Sequence, residues 1–258
     1  MTFSLRLTAD LTLALAARVL GEAHDGRSIL HVSPDTDFHT VPALSPGGSP
    51  AQRQVSSESG VLVPRYRSPI IWITGAEPLD HPDVARFANA LAASGRSVFL
   101  ETSGRALKRR LHEFKPSSRF YFTVRFDSRD STQIGCNTRD GAFQVGLEAI
   151  RMAHLAGFFV CARLVFYPDT EPSRLVRLHA EICKLEVDGF LITVAVRSPE
   201  LAKRAAQVRR RLLHRRWALL SSLLDRSASP EPRNSAEIER RILPETPADT
   251  FGEGAEAQ

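Results

Sequence analysis

Arg125, Arg163 and Arg197 fall near the ends of three successive apolar segments, and Glu77 and Glu101 end two earlier ones. Guanidinium and carboxylate groups on an apolar background need opposite charges, from the protein or from a bound carboxylate or phosphate. Alternation within the segments says where they point. In F-Y-F-T-V-R-F-D, Phe120, Phe122, Val124 and Phe126 share one face of an extended chain. Tyr121, Thr123, Arg125 and Asp127 share the other. The next segment sets Phe158, Val160, Ala162 and Leu164 against Cys161 and Arg163, and the last sets Phe190, Ile192, Val194 and Val196 against Thr193 and Arg197. With the phenylalanines packed on outer helices, the polar set lines an interior. Two readings stand: a cavity for an anionic ligand, or internal bridges with Glu77, Glu101 and Asp127. The position at strand ends, where barrels bind ligands, favours the cavity.

The second chemical feature is I-I-W-I-T-G-A-E-P-L, from Ile70 to Leu79. A short apolar run ending in a turn reads as an internal parallel strand. Gly75 and Ala76 offer little side chain to keep a ligand from the backbone. Pro78 stiffens the turn, Glu77 stands at the strand's carboxyl end, and a helix is expected from Pro82.

Elements that would position these groups recur at regular spacing. Strands are expected at 27–32, 70–74, 97–101, 119–127, 158–166 and 189–196, with helical periodicity between them. Ser198 and Pro199 make a helix start. Strands alternating with helices imply an α/β fold with a parallel sheet. Six strands favour a partial (β/α)6 TIM-like barrel, although periodicity alone does not separate it from a flat doubly wound sheet. Residues 1–26 read as an N-terminal amphipathic helix, 27–226 as the barrel, and 227–258 as a disordered acidic tail. Residues 34–68, rich in proline, serine and glycine, read as one irregular loop.

Composition narrows the classes. The 258 residues are 43% hydrophobic, enough for a proper core. No apolar run reaches the roughly 18–20 residues that span a bilayer. The start, M-T-F-S-L-R-L-T-A-D-L, looks faintly like a signal peptide, but Arg6 and Asp10 interrupt it. Three cysteines, at 136, 161 and 183, fit no disulfide framework or paired zinc motif, and a reducing, cytoplasmic setting is expected. From Ser227 onward there are seven acids and three bases; the overall charge of +5 therefore leaves about +9 on the body. The stretch Lys203–Trp217 holds seven Lys or Arg and reads either as a solvated outer helix or as a contact for nucleic acid or an acidic membrane surface.

From about residue 65 to 200 the chain resembles the radical SAM superfamily. G-A-E-P resembles the family's G-G-E-P turn, which contacts the methionyl end of S-adenosylmethionine. E-T-S-G, Glu101–Gly104, is similar to the T-N-G turn after the family's third strand. F-T-V-R-F-D-S lies at the family's Ser-x-Asp strand end, with Arg125 in the serine's place. G-A-F-Q-V-G-L-E-A-I and A-G-F-F-V-C-A-R-L-V-F are similar to its fourth helix and fifth strand. The resemblance and the alternation together assign ligand or cofactor binding to Gly75, Ala76, Glu77, Pro78, Glu101, Ser103, Arg125, Arg163 and Arg197.

The departure lies after the first strand. The family carries C-x-x-x-C-x-x-C there, three thiolates that hold a 4Fe–4S cluster. This chain reads S-P-D-T-D-F-H-T-V-P-A-L-S-P; if Phe38 stands at the first ligand position, Pro42 and Ser45 stand at the others. The resemblance then implies a cluster-less relative with a pocket for S-adenosylmethionine or another anionic small molecule, in an accessory or regulatory role and with a possible partner protein. The alternatives are a catalyst that uses the barrel with a divalent metal, for which Asp35, Asp37 and His39 (with Glu77 and His81) are the candidates, or with an unrecognised cluster, and a nucleic-acid or membrane adaptor acting through 203–217.

Overall fold

Continuous apolar strands separated by one-faced helices fold so that each strand pairs with the next and the helices cover one side. The computed structural model describes residues 4–19, 27–33, 36–41, 53–54, 68–127, 141–196 and 198–225. Helix α1 (Leu5–Val19) precedes β1 (Arg27–Ser33), β2 (Thr36–Val41), β3 (Arg53–Gln54) and β4 (Ile70–Gly75). Then come α2 (Val84–Ala93), β5 (Ser97–Thr102), α3 (Leu107–Arg110), β6 (Phe120–Asp127), α4 (Ala142–Leu155) and β7 (Phe159–Phe166). Helix α5 (Pro172–Ile182), β8 (Gly189–Val194), α6 (Pro199–Leu212) and α7 (Arg215–Asp225) complete the order. One open sheet runs β3-β2-β1-β4-β5-β6-β7-β8. From β1 to β8 neighbours are parallel, and the sheet curls into the half-barrel that the strand spacing implied.

Two local expectations need correction. Residues 34–68 are not wholly irregular: T-D-F-H-T-V forms β2, antiparallel to β1 with His31 opposite His39. The composition of the long segment hides six residues of strand-compatible alternation between Pro34 and Pro42. The helix expected from Pro82 begins instead at Val84, after a 3-10 turn over Pro78–Asp80. At the other helix start, Ser198 Oγ accepts from Leu201 N at 3.4 Å and Pro199 is the first helical residue, as the sequence implies.

The two faces of the sheet divide as alternation predicts. Outside, Phe114, Phe120, Phe122 and Phe158 pack edge to face or tilted, with ring centres 5.0–6.0 Å apart. Inside, strand register sets Trp72, Phe99, Tyr121 and Phe159 side by side. Tyr121 stacks between Phe99 at 4.7 Å and Phe159 at 5.4 Å, making an aromatic floor.

Helix α1 closes the barrel beneath that floor. Leu7, Leu11 and Ala14 are buried, and Asp10, which interrupts the apolar run, accepts from Ser97 Oγ at 2.6 Å and Arg119 Nη1 at 2.9 Å. Ser4 Oγ lies 3.1 Å from the Tyr121 hydroxyl. Burial, partly offset by that hydrogen bond, raises the Tyr121 pKa from 10.0 to about 12. A raised folded-state value means a stability contribution that is full below pH 10 and lost as pH rises towards about 12. Alkaline unfolding should therefore show a step in this window that Tyr121→Phe removes; an unchanged profile would contradict the assignment.

At the open edge, α6 and α7 satisfy the outward groups of β8. Ile192 N donates to Ser221 Oγ at 3.1 Å and Val194 N to Asp225 Oδ1 at 2.7 Å. Arg209 Nε donates to Ile192 O at 2.7 Å, and its guanidinium also pairs with Asp225. An edge strand left bare would be a template for another chain, and this helix pair covers it. Trp217 lies so close to the start of β8 that a Cβ on Gly189 would sit 2.1 Å from its ring.

Candidate functional site

The parallel strands deliver their carboxyl ends to one rim, opposite α1. Above the aromatic floor, the interior positions carry Thr74, Glu101, Thr123, Arg125, Arg163 and Thr193. Glu101 is their centre and is 1% exposed. Its Oε2 accepts from Thr74 Oγ1 at 2.9 Å, and its Oε1 accepts from Arg163 Nη1 at 2.5 Å and Arg125 Nη1 at 3.4 Å. Arg163 also donates from Nε to Thr193 Oγ1 at 2.8 Å, and its guanidinium stands over the Trp72 ring at 4.8 Å. One buried carboxylate thus meets two guanidiniums.

The two arginines differ in access. The Arg163 side chain is 8% exposed and committed to Glu101, Thr193 and Trp72. Arg125 is 29% exposed, and its Nη2 donates to Ala76 O at 3.4 Å. It therefore joins the interior layer to the turn after β4.

That turn is tied to the turn after β5. Glu77 Oε2 accepts from Ser103 N at 2.8 Å and Ser103 Oγ at 2.5 Å, and Oε1 accepts from Leu79 N at 3.4 Å. Pro78 opens the 3-10 turn that Glu77 caps. Gly75 is required by the sheet itself: a Cβ there would lie 2.2 Å from Val32 O, so β1 and β4 close only around glycine. At the far rim Tyr167 donates to Asp127 Oδ2 at 2.8 Å.

The structure thus brings Ala76, Glu77, Glu101, Ser103, Arg125 and Arg163 into one connected set. Glu101 with Arg163 forms the internal bridge that was one of the two readings of the alternation. Arg197 and Asp35 lie outside the described residues. Asp37 and His39 sit on β2, not on a loop, and His81 Nδ1 accepts from Asp83 N at 3.1 Å within its own turn. Among the described residues no group of three or more His, Cys, Asp or Glu could hold a metal ion.

Sequence reading missed Trp72 and Thr74 as interior groups, while Thr123 lies buried on the inward face where alternation placed it. The apolar run of β4 gives no alternation to read, although two-residue spacing back from Ala76 reaches Thr74 and Trp72. Trp72 Nε1 and Thr123 Oγ1 are buried without a hydrogen-bond partner.

A 4Fe–4S cluster held as in the family that the sequence resembles needs three converging thiolates. Cys161 faces the interior of β7, fully buried, and burial pushes its thiol pKa well up. Cys183 caps α5 on the exposed outside, with Sγ 3.6 Å from His179 Nδ1. These two thiols lie on opposite sides of the sheet, and Cys136 is outside the described residues. The cysteines placed here do not fit the cluster.

A model of the radical SAM superfamily matches residues 43–182, rather more than half of the chain. No curated protein matches the sequence. Among solved structures, archaeal TYW1 aligns at 13% identity and a TM-score of 0.39, covering 56% of this chain and 50% of that one. Streptococcus suis SuiB bound to S-adenosylmethionine aligns at 10% identity and 0.47, covering 64% and 41%. SuiB bound to its precursor peptide SuiA aligns at 12% and 0.47, covering 75% and 46%. The chain spans half or less of the length of these solved structures.

Proposed function

Because the chain belongs to the radical SAM superfamily, we propose that it is a cluster-less member: a small-molecule binder in an accessory or regulatory role, without radical chemistry. The observation that carries this reading is the placement of the thiols. Three are needed at the mouth, and the two described ones are buried in β7 and exposed beyond α5. The sequence carries no C-x-x-x-C-x-x-C run, and with Phe38 taken as the first ligand position Pro42 and Ser45 stand at the others.

The ligand proposed for the mouth presents an anionic group to it: the carboxylate of S-adenosylmethionine, or more favourably the phosphates of a nucleotide or phosphorylated metabolite. The two guanidiniums gathered at the strand ends support this, and Arg125, with its side chain 29% exposed, is the one a ligand can reach. Arg163 supports the layer from within. The Glu77–Ser103 clasp holds the two turns that frame the mouth, with Gly75, Ala76 and Pro78 shaping its backbone.

Charge-assisted hydrogen bonds are worth roughly 1.5–3 kcal/mol each. For a domain of this size each kcal/mol shifts Tm by about 2–4 °C. Nucleoside diphosphates should therefore raise Tm by several degrees, more than S-adenosylmethionine does, and the gain should shrink with added salt. Arg125→Gln should remove most of the gain while the free protein still melts cooperatively. A larger shift from S-adenosylmethionine that survives Arg125→Gln would reject the anion pocket.

A further inference from the structure

The end of the barrel opposite the mouth carries a surface that small-molecule binding does not use. Helix α1 buries Leu7, Leu11 and Ala14, so its outer face should be polar if it met only water. That face instead presents Leu5, Ala9, Leu13 and Ala16, a stripe at helical spacing, with Leu5 85% and Leu13 60% exposed. Leu155, the last residue of α4 and one short turn before β7, is 86% exposed at the same end. Leu219, in the first half of α7, is also exposed. These are four of the five large exposed apolar side chains among the described residues; the fifth, Val196, follows β8 at the mouth.

Cations share this end. The turn joining α6 to α7 lies beside the start of β8, where Trp217 meets Gly189. It exposes Arg210, Arg211 and Arg215, and Leu219 stands one turn after Arg215 on the same helix face. Lys115, in the segment leading into β6, and Arg6 on α1 are exposed as well. The first turn of α7 contains no acidic residue. Arginine at the positive end of a helix is unfavourable unless an anion lies outside it. Two of the seven cations in 203–217 are structural: Arg209 holds β8 and Asp225, and Arg204 donates to Pro168 O and Thr170 O. Arg210, Arg211 and Arg215 take no part in that scaffold.

Exposed leucines beside exposed arginines suit an interface that is apolar inside and anionic at its surface. Single-stranded nucleic acid would call for aromatic platforms, and among the described residues no aromatic side chain is one of the large exposed apolar groups. No helix among the described residues is long and apolar enough to cross a membrane, so the contact is peripheral. We propose that this end of the barrel docks on an anionic lipid surface, with Leu5, Leu13, Leu155 and Leu219 entering the acyl boundary and Arg210, Arg211 and Arg215 at the phosphates.

The test is co-sedimentation of the full chain with phosphatidylcholine vesicles, with and without phosphatidylglycerol. Binding is expected only with phosphatidylglycerol, falling as salt rises. The combined variant Arg210→Gln, Arg211→Gln, Arg215→Gln should weaken it about a hundredfold. Leu5→Ser with Leu13→Ser should weaken it at least about tenfold while the salt dependence persists. All five positions are exposed, and unchanged melting of both variants checks the fold. No sedimentation with phosphatidylglycerol vesicles, or equal binding to both kinds, would overturn the proposal. So would duplex RNA binding more tightly than the vesicles at equal salt, lost with the arginines and indifferent to the leucines.

Discussion

Arg163→Ala should destabilise the chain by about 3–5 kcal/mol, the largest effect expected of any single change at the mouth. The substitution leaves Glu101 buried, with Thr74 and the long contact from Arg125 as its remaining hydrogen bonds. It also strands Thr193 Oγ1 and uncovers the Trp72 ring. The penalty is that of an uncompensated buried carboxylate, which exceeds the net worth of the pair. Replacing both partners, Glu101→Leu with Arg163→Met, should therefore cost less than the two single changes added together. Urea unfolding of the two singles and the double measures this coupling. A cost below about 1 kcal/mol for Arg163→Ala would mean that Glu101 finds solvent or another partner, and that the layer is a mouth open to water.

The same geometry separates two roles that alternation cannot. Arg125 and Arg163 occupy paired positions in the register of β6 and β7, and both face inward as their sequence places them. Nothing in the segments says that one is enclosed beneath the other. That difference arises from the curl of the sheet, which brings Glu101 of β5 and Thr193 of β8 to the same guanidinium. Side-chain direction is a property of a strand and can be read from it. Which groups meet across four strands is a property of curvature and cannot.

Legibility elsewhere follows the same line. The six parallel strands and their order were readable because each apolar run ends at a turn and a helical pattern intervenes. The strand β2 was not, since a six-residue alternation is weak against proline on both sides and β2 depends on β1 for its pairing. Asp10 was read as an interruption of an apolar run. It is the group that fastens α1, through Ser97 and Arg119, each nearly ninety or more positions away in the chain. The roles of Ser221, Asp225 and Arg209 on the edge of β8 were equally hidden, because the groups they satisfy are main-chain N–H and C=O. Gly75 was singled out for the approach of a ligand, but a backbone approach by a ligand and one by Val32 look identical in a sequence.

The thiol inventory leads to the most direct measurement. Anaerobic reconstitution of the full chain with iron and sulfide, followed by iron analysis and incubation with S-adenosylmethionine and dithionite, tests whether a cluster can form. Three thiolates on one loop are what such a cluster requires. Here one described thiol is enclosed within β7, the other lies outside α5, and the sequence contains no C-x-x-x-C-x-x-C run. The expected result is a colourless protein with no stoichiometric iron and no 5′-deoxyadenosine. About four irons per chain, with 5′-deoxyadenosine formed under dithionite, would contradict the account.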